Sequence, residues 1–146
     1  MQEEYKKASR GIILSNDNKT LISIKRTKYK NGSIDKIYYT LPGGHVEGNE
    51  TYEETLIREI KEEISVDIEI IKEVKYIVSD DLKKKEKFYL CKILSGKIEK
   101  GNGPEFTNPN LEKYGKYEIV ELDIDNLHKY NLLPLDIKDY ISNNLK

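Results

Sequence analysis

The sequence predicts a mixed α/β domain, and three observations carry that expectation. Short apolar runs with period-two alternation recur along the chain, a single strongly amphipathic helical segment interrupts them, and strands stand on both sides of that segment. The 146 residues suit one domain, taken as 1–146, with length enough to bury a sizeable core.

The elements follow in order. Ala8 to Leu14 reads as a first strand, Asn16-Asp17-Asn18 as a turn, and Thr20 to Lys25 as a second strand. In that second strand Ile22 and Ile24 share one face, Ser23 and Lys25 the other, and Leu21 is the exception. The two strands with their Asn/Asp turn suggest a hairpin. Arg26 to Asp35 is basic and contains glycine, and reads as a loop. Ile37 to Leu41 is a strand ended by Pro42-Gly43-Gly44.

A helix is expected at about 52 to 64. Thr51 and Glu54 form a capping box, and Leu56, Ile57, Ile60 and Ile64 recur at helical spacing. Val66 to Val78 is β-rich, Asp80 to Lys85 a charged turn and Lys87 to Leu94 a strand. Ser95 to Gly115, rich in Gly, Asn and Pro, reads as a long surface loop. Tyr117 to Leu122 is a last strand, Ile124 to Tyr130 a short helix and Leu135 to Leu145 a closing helix.

Composition narrows the function classes. Lys+Arg 25 against Asp+Glu 26 leaves a net charge of −1, which removes any global electrostatic case for nucleic acid or an anionic membrane. The one cysteine, Cys91, forms neither an internal disulfide nor a thiolate zinc site, and its setting marks it as a small buried residue. The start shows no apolar signal segment and no run approaches membrane-spanning length, so a cytoplasmic location is the expectation.

The chemistry-bearing residues lie between Gly43 and Val66. At about 100° per residue, with Glu59 at 0°, Glu62 falls near −60° and Glu63 near +40°, so three carboxylates share one face beside the apolar stripe. Carboxylates at this spacing repel one another, and a hard divalent cation with oxygen ligands offsets that repulsion. Arg58 adjoins the face and is expected to neutralise one charge, with Glu50 a second partner. From Gly44 to Glu69 nine acids stand against Arg58 and Lys61, His45 aside.

Gly44, five residues, Glu50, seven residues, then Arg58-Glu59-Ile60-Lys61-Glu62-Glu63-Ile64-Ser65-Val66 resembles the Nudix box. The segment covers 23 of 146 residues and departs from the family pattern at one position, Ser65, where the family has Gly. The resemblance implies a Nudix-type α/β/α sandwich with a mixed β-sheet. It implies hydrolysis of a pyrophosphate linkage in a nucleoside diphosphate derivative, with Mg²⁺ or Mn²⁺ as cofactor. By motif position Glu59, Glu62 and Glu63 are metal carboxylates and the Gly44 carbonyl a further ligand, while Glu50 and Arg58 support the loop and orient Glu59. The catalytic set expected is Glu59, Glu62 and Arg58, with Glu105 of the long loop and Glu59 as alternative general bases and Glu112 a weaker one. Arg26, His45 and Tyr39 are candidate substrate contacts; solubility, a structural histidine and core packing are their competing readings. Glycine after a helix usually takes a left-handed conformation that serine adopts less readily, so the helix is expected to end differently here, with a modest effect on stability.

The pattern leans toward a MutT-like (deoxy)nucleoside triphosphate pyrophosphohydrolase releasing a monophosphate and pyrophosphate. The alternatives are a hydrolase of ADP-ribose or nucleotide sugars and a Nudix-fold nucleotide-binding or regulatory module. The expected partner is a small-molecule nucleotide, with no stable nucleic-acid complex and no membrane; a homodimer is left open.

Overall fold

The computed structural model describes residues 4–101 and 110–145. Along the chain run β1 (Lys6–Ile13), β2 (Thr20–Lys30), β3 (Ser33–Thr40), β4 (Gly43–His45), α1 (Tyr52–Ile64), β5 (Asp67–Ser79), β6 (Lys84–Ser95), the one-turn α2 (Leu111–Tyr114), β7 (Lys116–Asp123), a 3₁₀ helix (Ile124–Lys129) and α3 (Leu135–Asn144).

The strands form two sheets. One has the order β4-β1-β6-β5 and is mixed, because β1 and β6 run parallel while the other pairs are antiparallel. The other, β3-β2-β7, is antiparallel throughout. The hairpin expected from β1 and β2 is therefore corrected. The two strands enter different sheets, and the isolated bridge Leu14–Leu21, beside the Ser15 N–H bond to the Thr20 carbonyl, joins their adjacent ends. The loop expected over Arg26 to Asp35 is also corrected: β2 continues to Lys30, turns at Asn31-Gly32, and returns as β3 from Ser33. Its charged residues obscure the strand because much of this ribbon is solvent-exposed, as at Lys30 and Lys36.

Two core clusters follow from the alternation of side chains along each strand. Ile12, Leu21 and Phe88 point into one, which α3 closes with Ile137 and Ile141. Their neighbours Ile13, Ile22 and Tyr89 point into the other, which α1 closes with Leu56, Ile60 and Ile64. Helices thus cover opposite faces of the strand layer, the expected α/β/α arrangement. Ile57, expected in the apolar stripe of α1, is instead 45% exposed. Cys91 is buried in β6, and burial pushes its thiol up to about 12. Among the described residues no helix is long and apolar enough to cross a membrane.

Candidate active site

The site is assembled where β4 meets α1. The helix starts as its sequence dictates: Thr51 Oγ1 accepts the Glu54 N–H at 3.0 Å and the Glu54 carboxylate accepts the Thr51 N–H at 2.9 Å. Burial of Leu56, Ile60 and Ile64 then fixes the rotation of α1 about its axis. That rotation brings Glu59 and Glu63 to the Gly43-Gly44 dipeptide. Glu63 is buried, and its Oε1 accepts the Gly43 N–H at 3.0 Å. Glu59 lies against Gly44 so closely that an added Cβ there would fall 2.3 Å from the Glu59 carboxyl carbon. Glu62 faces solvent with its side chain 57% exposed.

Arg58 binds this region together more extensively than the one-charge expectation allowed. Its Nε and one terminal nitrogen grip the Glu50 carboxylate at 2.7 and 2.9 Å. The other terminal nitrogen donates to Glu59 at 2.9 Å and to Glu62 at 3.3 Å. The guanidinium also donates to the His45 carbonyl at 3.2 Å and stands 3.9 Å from Glu47. Hydrogen bonds from Arg58, then from the Glu47 N–H and the Thr55 hydroxyl, hold Glu50 down to about 2. The same contacts, led by Glu50, raise the Arg58 pKa above its ordinary value. Glu47, one of the nine acids of this stretch, is given no role by the sequence.

α1 ends on Ser65, which takes the left-handed conformation (φ 67°) and donates its N–H to the Lys61 carbonyl. The expectation of a different helix end is corrected, since serine takes the left-handed conformation usual for glycine after a helix. The chain then returns over this end: Glu99 N–H meets the Ile64 carbonyl and Gly101 N–H the Glu63 carbonyl, each at 3.0 Å.

A cleft of about 610 Å³ opens beside the carboxylates, lined by both sheets and by Gly43, Gly44, Glu59 and Glu63. Of the expected substrate contacts, Arg26 and His45 line it. Arg26 stacks 3.6 Å from the centre of the Tyr117 ring and donates to the Tyr114 carbonyl. His45 is exposed, and desolvation, then the charges of Arg10, Lys84 and Lys6, lower its pKa. Tyr39 packs edge-on to Tyr130 against the core and is not among the lining residues. Glu105 lies outside the described residues. A larger cleft, about 1070 Å³, adjoins the other side of His45 and contains neither Glu59 nor Glu63.

Among the described residues no three carboxylate, imidazole or thiolate groups stand ready to close around an ion as placed. Arg58 draws Glu59 and Glu62 to itself, and the Gly43 N–H engages Glu63. The donor set nonetheless fits a hard dication: it is all oxygen, and the missing side chain at Gly44 brings main chain and the Glu59 carboxylate into contact.

The sequence profile of the NUDIX domain matches residues 5–129. The chain belongs to the NUDIX domain family. The fold is that of the MutT-like Nudix proteins. A MutT structure from work on Aliivibrio salmonicida and Vibrio cholerae has a TM-score of 0.65 at 18% identity, covering 96% of this chain and 98% of that one. A MutT Nudix hydrolase from Burkholderia pseudomallei gives 0.65 at 19% identity, over 99% and 100%. An ADP-ribose pyrophosphatase from Streptococcus suis gives 0.64 at 16%, over 94% and 90%. An 8-oxo-dGTP diphosphatase of Proteus vulgaris is 36% identical over 58 residues, which is 40% of this chain and 48% of that protein. The match thus spans about half the length of that relative.

Proposed function

We propose that this Nudix domain is a divalent-metal-dependent pyrophosphohydrolase acting on (deoxy)nucleoside triphosphates, releasing a monophosphate and pyrophosphate. The observation that carries the reading is the meeting of Glu59 and Glu63 at the Gly43-Gly44 backbone, on the wall of a cleft large enough for a nucleotide. The segment shared with the Proteus vulgaris 8-oxo-dGTP diphosphatase supports this substrate class over ADP-ribose.

In this reading Glu59, Glu62, Glu63 and the Gly44 carbonyl hold Mg²⁺ or Mn²⁺. Bound there, the ion neutralises phosphate charge and lowers the pKa of water. Water adds to one phosphorus of the P–O–P linkage and the bridging oxygen leaves with the other phosphate. Glu59 or Glu105 takes the water's proton. Arg58, held by Glu50, orients Glu59. Arg26 and His45 meet the substrate from the cleft wall.

The test is a Mg²⁺-dependent hydrolysis screen over nucleoside triphosphates, ADP-ribose and nucleotide sugars, with the products (pyrophosphate, nucleoside monophosphate or sugar phosphate) identified by chromatography and mass spectrometry, run in ¹⁸O-water to identify the attacked phosphorus. The reading requires turnover of a triphosphate and its loss in the Glu62→Gln/Glu63→Gln variant. Turnover retained by that variant would overturn the site assignment, and hydrolysis of ADP-ribose alone would overturn the substrate.

A further inference from the structure

The cleft has a second charged feature that the box does not contain. β1 and β6 run parallel, with Arg10 opposite Phe88 and Ala8 opposite Glu86. Alternation therefore puts Arg10, Lys84 and Glu86 on one face of this strand pair, and all three line the cleft with Glu59 and Glu63. Glu86 is shared by two cations. Its Oε2 lies 3.2 Å from Arg10 Nε and 3.3 Å from Lys84 Nζ. One carboxylate thus answers two positive charges, and the Arg10 bond uses only Nε.

Arg10 is also one strand away from the carboxylate floor. It is in register with Gly43, whose N–H holds Glu63. Its side chain is 22% exposed, so it reaches the cleft from a partly desolvated position where a charge-assisted bond gains strength.

We propose that Arg10, positioned by Glu86 and accompanied by Lys84, is a phosphate-binding residue of this cleft. It grips the phosphate chain of the substrate on the cleft wall next to Glu59 and Glu63. The proposal rests on the reading that this cleft receives a polyphosphorylated substrate. Glu86 has two consequences. It aims the guanidinium, and it competes with phosphate for the same charge. Arg10 and Glu86 are therefore expected to act in opposite directions on anion affinity, which a merely structural ion pair would not do.

The experiment uses the full chain without added metal and inorganic tripolyphosphate as the probe, read by titration calorimetry at low salt. The wild type is expected to bind. Arg10→Ala should weaken binding at least about tenfold, the loss of a bond to a charged group, and Arg10→Lys should restore part of it. Glu86→Gln should tighten binding. Lys7→Ala removes a cation that lies outside this cleft and should leave binding unchanged. Circular dichroism checks that each variant is folded. No binding by the wild type, equal binding by Arg10→Ala, or equal weakening by Lys7→Ala would overturn the proposal. The result is independent of nucleotide turnover, so a failed substrate screen and a failed Arg10 assignment are separate outcomes. If nucleotides are turned over, Arg10→Ala should raise KM for the triphosphate well beyond any change in kcat.

Discussion

The Glu59 carboxylate fills the space that a side chain on Gly44 would need: a Cβ on Gly44 would sit 2.3 Å from the Glu59 carboxyl carbon. The obstacle at Gly44 is the end of a flexible side chain, whereas at neighbouring Gly43 it is main chain, since a Cβ there would fall 2.0 Å from the Ser9 carbonyl oxygen at φ +148°. The two glycines therefore separate function from folding. Gly44→Ala should leave the melting temperature nearly unchanged but push Glu59 aside, lowering kcat/KM by roughly a hundredfold. Gly43→Ala should lose several kcal/mol, on the order of 3, through strain and backbone clash. Thermal melts beside steady-state kinetics check both. A destabilised Gly44→Ala with unaltered kinetics would contradict the arrangement.

Much of this site was legible because its determinants are local. The Thr51 cap, the apolar stripe and the carboxylate face all follow from spacing along α1; the cap forms as read, and of the stripe only Ile57 turns outward. What failed depends on distant partners. No local signal says that β1 pairs with β6 rather than β2, so Lys84 and Glu86 could not be set beside Arg10. The run of cations after Lys25 resembled a loop because the ribbon of β2 and β3 exposes much of its surface. The reach of Arg58 back to Glu47 and Glu50 depends on how the segment before α1 folds against it.

The Glu50–Arg58 pair should be visible in the acid limb of stability. Hydrogen bonds from Arg58 hold Glu50 at about 2, below its ordinary 4.5. A carboxyl depressed by folding stabilises the native state above its ordinary pKa, and that contribution disappears as pH falls through the folded value. The wild type should therefore exceed Glu50→Gln in denaturant midpoint at neutral pH, with the gap closing between pH 4.5 and about 2. Urea titrations at stepped pH measure it. A gap constant across that window would show that Arg58 does not hold Glu50 as described.

Metal loading should register as stability. An ion that binds only the native state at a hundredfold its Kd adds about 2.7 kcal/mol, or roughly 5–10 °C in a domain this size. Mg²⁺ or Mn²⁺ should give such a rise in the wild type and none in Glu62→Gln/Glu63→Gln. The metal-free double variant should be at least as stable as the wild type. Two mutually repelling charges are gone, and the amide oxygen that replaces the Glu63 carboxylate can still accept the Gly43 N–H. Differential scanning fluorimetry with and without chelator decides it, and equal shifts in both proteins would remove these glutamates from the metal site.

Ser65 offers a test of how α1 is closed. Its φ of 67° costs an L-residue roughly 1–2 kcal/mol, which glycine avoids while losing about 0.4–1 kcal/mol through its freer unfolded chain. The Ser65 hydroxyl bond to the Glu99 carbonyl, long at 3.3 Å and exposed, offsets little. Ser65→Gly should thus raise stability by about 0.5 kcal/mol. Ser65→Val, with a branched Cβ in the left-handed region, should lower it by about 1–2 kcal/mol. Equilibrium unfolding of the two variants gives the order Gly, Ser, Val. Stability equal in all three would mean that the helix end readjusts around this residue, releasing the Ser65 N–H from the Lys61 carbonyl.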